Sequence, residues 1–219
     1  MTPAERVMAA LRGRTVDHIP FTAYENKITP GRVERELRNG GLCIVQRPPL
    51  LYTVSVPNCR IETRCESRPV QSTGATASAG TFIHTRIETP SGVLTAVDRD
   101  RSGANQNAWH VKHLFGDPAD YGALEAYLSD LTYDPNYEPV TAKIRSGGGD
   151  LFLRGGLGYS PMHALMYTYM GVERFSFEWA DNRSRVMDLY EILSEKYRNL
   201  CRVAARAPNL AVNICGHVS

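Results

Sequence analysis

The sequence predicts a mixed α/β fold in which a parallel β/α pattern is interrupted by antiparallel ribbon. Three observations carry that prediction. "IPFTAY", "GRVERELRNGG" and "LCIV" run in strand, helix, strand order; a helix between two strands returns the chain to the same end of a sheet and so favours parallel pairing. Within residues 52–100, "TFIHTRIE" and "GVLTAVDR" alternate apolar and polar side chains with a period of two, the mark of half-buried strands. From His110 onward, helical and strand signals alternate again.

Each element has its own signal. "TPAERVMAALRG" opens with Thr2 as a cap, Pro3 in the first turn and Glu5 closing a capping box, and Gly13 ends the helix. Ile19 to Tyr24 has the length of a short buried strand. A loop and helix follow between Pro30 and the Gly40-Gly41 stop, and Leu42 to Val45 form a second strand. Within the ribbon, "TFIHTRIE" and "GVLTAVDR" flank "TPSG" (Thr89 to Gly92), a hairpin turn with Pro and Gly where turns accept them. A hairpin cannot enter the core of a parallel sheet, so this insert is expected on a rim or as a lid. "FGDPADYGALEAYLSDL" is a helix entered through Asp117-Pro118. "DLFLRGGLGYSP" is a strand running into a glycine-rich turn, "MHALMYTYMG" is a compact apolar helix, and "VERFSFEWADN" leads into a long helix through "RVAARA". "NLAVNICGHVS" is a last buried strand. Phe21, Val45, Leu153 and Val212 are therefore expected on parallel strands.

Composition narrows the function. With 219 residues the chain can bury a core as one domain, 1–219, carrying the insert at 52–100. A net charge of +2 gives no field that points to nucleic acid, and no apolar run reaches the ~20 residues a membrane span requires. Cys43, Cys59, Cys65, Cys201 and Cys215 have no zinc-type spacing and read as reduced thiols of a cytoplasmic protein.

The order of these signals resembles the uroporphyrinogen decarboxylase superfamily. "ERVMAALRGRTVDHIPFTAY" is similar to its opening helix, charged loop and Pro-containing first strand. "HLFGDPADYGALEAYLSDL" is similar to its acidic-Pro-Asp-Tyr helix, and "GGLGYSPMHALMYTYMGVERF" to its G-x-P turn and MG-x-E-x-F segment. The resemblance implies a (β/α)8 barrel with its site at the carboxyl ends of the strands. Such barrels need ~250 residues or more, so the chain is expected to supply the amino-terminal half, with an antiparallel hairpin insert. A partner chain would complete the barrel. The superfamily includes uroporphyrinogen decarboxylases and zinc-dependent methyltransferases that serve corrinoid proteins. The resemblance thus implies a small-molecule substrate, with zinc or a corrinoid, or a corrinoid protein, as possible company in a complete member. The decarboxylases carry an Arg-Gln-Ala-Gly-Arg-Tyr signature after the first strand. Here "AYENKITPGR" stands in its place, which favours methyl transfer over decarboxylation; a catalytically silent fragment that keeps only ligand or partner contacts is the third reading.

The candidate site residues follow from strand ends. Tyr24, Glu25, Asn26 and Lys27 lie just past the first strand. Glu25 is placed to carry a proton, and the others to bind substrate; the alternative is a solvated loop with a local ion pair. Arg154, Tyr159 and Ser160 lie at a second strand end, beside glycines that permit close approach. By resemblance Tyr167 matches the spacing of a catalytic Tyr, and Tyr169 matches it after a one-residue shift; either also suits a core aromatic. Asn213, Cys215 and His217 stand at the last strand end, with His217 as a base or one ligand of an incomplete metal set. Two ligands do not make a zinc site, so no metal is assigned. His110 and His113 are three apart and would share a helix face or decorate the entry to a helix.

Overall fold

The computed structural model describes residues 1–70, 78–100, 109–208 and 211–215. Four parallel strands form one sheet: β1 (Phe21–Tyr24), β2 (Leu42–Gln46), β9 (Leu151–Tyr159) and β10 (Ala211–Cys215). They lie side by side in the order in which the chain visits them, every neighbouring pair is parallel, and β1 and β10 are the edges. Phe21, Val45, Leu153 and Val212 all stand on these strands, as the sequence predicts. The architecture is mixed α/β with this parallel sheet and separate antiparallel ones, and no closed barrel is formed among the described residues.

The strands between Gln46 and Leu151 are antiparallel. β4 (Arg60–Val70), β5 (Ser78–Thr89), β6 (Gly92–Asp100) and β7 (Trp109–Lys112) make a meander, with the predicted hairpin turn between Thr89 and Gly92. This sheet runs from Arg60 to Lys112, later at both ends than the predicted span. Tyr52 belongs elsewhere: β3 (Tyr52–Ser55) pairs with β8 (Thr132–Pro135) in a two-stranded ladder. Around that ladder Asn58 bonds the Asp130 carboxylate through its backbone and side-chain nitrogens, and Asn136 bonds the carbonyls of Leu51 and Leu50. The excursion thus leaves and rejoins the chain through one closed base.

Local chemistry explains the helices. In α1 (Pro3–Leu11) the Thr2 hydroxyl accepts from the Glu5 amide at 3.2 Å and the Thr2 amide donates to Glu5 at 2.8 Å, so the capping box forms. α3 (Tyr121–Asp130) buries Tyr121, Leu124 and Leu128 at helical spacing, and α7 (Arg183–Ala205) buries Val186, Leu189, Leu193, Leu200 and Ala204. Three shorter helices, α2 (Arg32–Asn39), α4 (Glu138–Ser146) and α6 (Val172–Asp181), complete the set with α5 (Pro161–Ala164), which runs straight into a π-helical turn, Leu165–Tyr169.

The largest apolar cluster lies where the antiparallel sheet meets these helices. Ile87 and Leu94 of the hairpin are buried there with Phe115, Leu124, Leu128, Leu165, Phe175 and Leu189. The insert therefore supplies core as well as a rim: one face of its hairpin packs down and the other meets water. A second cluster joins Leu157 of β9 to Leu51, Val140, Leu200 and Ala204, and a third joins Val7 of α1 to Cys43 and Phe152.

The first and last parallel strands differ from the buried strands the sequence predicts. Phe21 is 56% exposed and Ile214 57%, because no helix among the described residues covers the sheet at its edges. The glycines predicted as a turn lie inside β9 instead. Gly158 takes φ +70° where the ladder slips: Asn213 pairs with Gly156 but Cys215 with Tyr159, so β9 holds one extra residue. Glycine adopts this bulge conformation without a side-chain clash. His110 is on strand β7 rather than a helix.

Candidate active site

Residues paired in register on parallel strands share a face. Tyr24 pairs with Val45 and Val45 with Phe152; Arg154 stands two residues beyond Phe152 and pairs with Ala211. Tyr24 and Arg154 therefore stand on one face, the face whose amino-terminal part α1 covers through Val7, Cys43 and Phe152. The carboxyl-terminal part carries the candidate site.

A cavity of about 160 Å³ opens there, lined by Tyr24, Glu25, Asn26, Lys27, Arg47 and Arg154. Five of these six are residues that the sequence places in the site. The loop after β1 is fixed by backbone bonds from Glu25 to the Val45 carbonyl and from Lys27 to the Tyr24 carbonyl. Arg154 donates to the Tyr24 hydroxyl at 3.4 Å, and its guanidinium carbon lies 5.1 Å from the centre of that ring, within cation–π range. The Arg154 Nε is buried and has no hydrogen-bond partner among the described residues. A buried charged donor without an acceptor is costly, and an acceptor that reached this nitrogen would relieve that cost.

Sequence reasoning missed Arg47. It follows the second strand as Glu25 follows the first, and that equivalence was the available signal. Its backbone amide donates to Glu25 at 3.3 Å and its Nε stands 3.6 Å from the same carboxylate oxygen. Glu25 is thereby engaged in holding Arg47, which fits a positioning role better than the free proton carrier expected from sequence.

Tyr159, Ser160 and Tyr167 are not among the walls of this cavity; they gather around His163. The Ser160 hydroxyl lies 2.7 Å from His163 Nδ1, the rings of His163 and Tyr167 stack with 5° between planes, and Tyr167 stands 5.5 Å from Tyr159 between centroids. The single converging mouth expected from sequence is thus two neighbourhoods in the described structure. His217 lies outside the described residues. Tyr169, the alternative to Tyr167, is deeply buried, and burial pushes its hydroxyl far above the ordinary tyrosine range. That makes it a core aromatic.

Metal chemistry finds little to hold on to. Among the described residues no three His, Cys, Asp or Glu side chains come together to bind a metal ion. Cys43, on the same sheet face, is buried, and burial pushes its thiol up to about 11, so it stays protonated and is a poor ligand. Cys59 and Cys201 are shifted upward by burial as well. No described helix is long and apolar enough to cross a membrane. Comparison of the chain with protein-family models, with curated proteins and with solved structures finds no match.

Proposed function

We propose that the chain is the amino-terminal half of a (β/α)8 barrel related to the uroporphyrinogen decarboxylase superfamily, and that the cavity at its strand ends binds a small anionic substrate for corrinoid-dependent methyl transfer. The half-barrel reading is supported by four parallel strands in chain order with both edges open, since a barrel is wound in that order and grows at its edges. A partner chain or a further segment would pair with β1 and β10. The observation that carries the binding reading is the unpartnered, buried Nε of Arg154, set among Lys27 and Arg47 in a cavity at the carboxyl ends of the strands. A guanidinium with a donor to spare recognises a carboxylate by a charge-assisted bond.

The substituted segment after β1 supports methyl transfer. A corrin ring is far larger than a 160 Å³ cavity, so a corrinoid would approach from the open side, on its own carrier or on the completing half; the described residues provide no zinc set. The chain's own contribution is then to hold the substrate's anionic end on Arg154 and to fix Arg47 through Glu25. A second reading, porphyrinogen decarboxylation, is favoured by one finding: Arg47 and Arg154 bring cations to the place where the decarboxylase signature would supply them.

Propionate is the simplest probe. Titrated calorimetrically, it is expected to bind the unmodified chain and to lose on the order of tenfold or more in affinity on Arg154→Met. Arg154→Lys retains part of it. Equal binding by Arg154→Met would sink the assignment. Robust turnover of uroporphyrinogen would replace methyl transfer with decarboxylation.

A further inference from the structure

A second cavity, of about 210 Å³, lies where β7 crosses the π-helical turn. Its walls are Trp109, His110 and His113 on one side and Met166, Tyr167 and Gly171 on the other. Its two imidazoles are fixed in orientation. His110 Nδ1 lies 2.6 Å from an Asp98 carboxylate oxygen, and a carboxylate can only accept, so Nδ1 carries the hydrogen. His113 Nδ1 lies 3.2 Å from the Thr168 carbonyl, which likewise only accepts. In both rings Nε2 is left as the acceptor. The ring centres stand 5.0 Å apart, and both residues line the cavity.

The protonation balance supports this. Burial holds the His113 imidazole neutral by lowering its pKa, an effect that the neighbouring His110 reinforces and that Thr168 and Asp98 oppose. A neutral imidazole accepts at Nε2.

We propose that this cavity binds a single-ring aromatic diol, its flat face against the Trp109 and Tyr167 side chains and its two vicinal hydroxyls donating to His110 and His113. Volume sets the size: pockets for drug-sized ligands start at about 300 Å³, so this one takes one ring. Aromatic and thioether walls suit a flat aromatic face. Two neutral imidazole acceptors favour a ligand that brings two donors, which distinguishes this cavity from the cation-lined one at the strand ends. π-Helical turns are frequent at functional sites, and here the turn carries two of the walls.

The test titrates catechol and its dimethyl ether, veratrole, into the intact chain and follows the imidazole nitrogens by long-range ¹H–¹⁵N correlation spectroscopy. Catechol is expected to move the Nε2 signals of His110 and His113 and to bind at least tenfold more tightly than veratrole. His110→Ala and His113→Ala should each weaken catechol about tenfold. Asp98→Ala should weaken it as well, since the Nδ1 hydrogen of His110 then loses its acceptor. His84→Ala, on the polar face of the antiparallel sheet, should change nothing. Should His113→Ala fail to fold, His113→Gln and the signals of the unmodified chain decide. Equal binding of the two probes, unmoved imidazole signals or no binding of catechol would each overturn the proposal.

Discussion

The two four-stranded sheets of this protein invert the roles their sequences suggest. The parallel strands carry the apolar runs and read as the core, yet both edges show large apolar side chains to solvent: Ile19 beside β1 is 86% exposed, and Phe21 and Ile214 are also exposed. The antiparallel insert, read as a rim, places Ile87 and Leu94 at 2% and 1% exposure in the largest cluster of the molecule. A strand's apolarity measures its appetite for cover. Whether cover is present depends on which helices reach it.

The comparison can be broken most directly by stability measurements. Leu128 on α3 is fully buried in the large cluster, so Leu128→Ala should cost about 3 kcal/mol in urea unfolding, through lost transfer energy and the cavity left behind. Phe21→Ser on β1 should fall within about 0.5 kcal/mol, as substitutions of exposed side chains do. Equal losses would show that the parallel sheet is covered in solution, by a second copy or otherwise. Next in size is Gly171→Ala. Gly171 takes φ +77°, and an added Cβ would lie 2.7 Å from the His113 ring. The left-handed backbone and the contact together should cost about 2 kcal/mol. The same variant should blunt catechol binding while leaving propionate binding intact.

The smallest effect is a pH dependence. With its pKa held below the ordinary 6.5 in the fold, His113 takes up protons more readily when unfolded. Stability is therefore complete above about pH 6.5 and declines as pH falls from there toward the lower folded value. Urea midpoints between pH 7.5 and 5 should record that decline, and His113→Gln should remove its share. Midpoints indifferent to that replacement would mean that the imidazole is solvated in both states.

Much of the fold was legible because it rests on local or periodic signals. The capping box at Thr2 and Glu5, the turn at Thr89 to Gly92 and the helical spacing of Tyr121, Leu124 and Leu128 need no knowledge of distant partners. Tyr24, Glu25, Asn26, Lys27 and Arg154 were legible because strand ends converge on one side of a parallel sheet. Other features depended on partners far away in sequence. β3 is four residues long and gains its meaning from β8, some eighty positions on. Arg47 joins the site only when β2 is set beside β1. The exposure of Phe21 and Ile214 is a property of what does not pack on them, and no stretch of sequence records that. His110 and His113 were seen as a pair, but their helical spacing was misleading: a strand followed by a bend brings their rings together just as well.

The ladder of β3 with β8 has a consequence for how the molecule assembles. Pairing β2 with β9 joins Ile44 to Leu151 across most of the insert, and closing so long a loop is slow for an unstructured chain. The base of the excursion is stitched by four residue pairs between β3 and β8 and by the Asn58–Asp130 contacts. Once that base has formed, Gln46 and Leu151 are separated by two short connections and α4. The parallel sheet then closes over a distance of a few tens of residues. The topology thus splits the joining of β2 to β9 into two steps, the closing of β3 on β8 and then a much shorter closure of the parallel sheet.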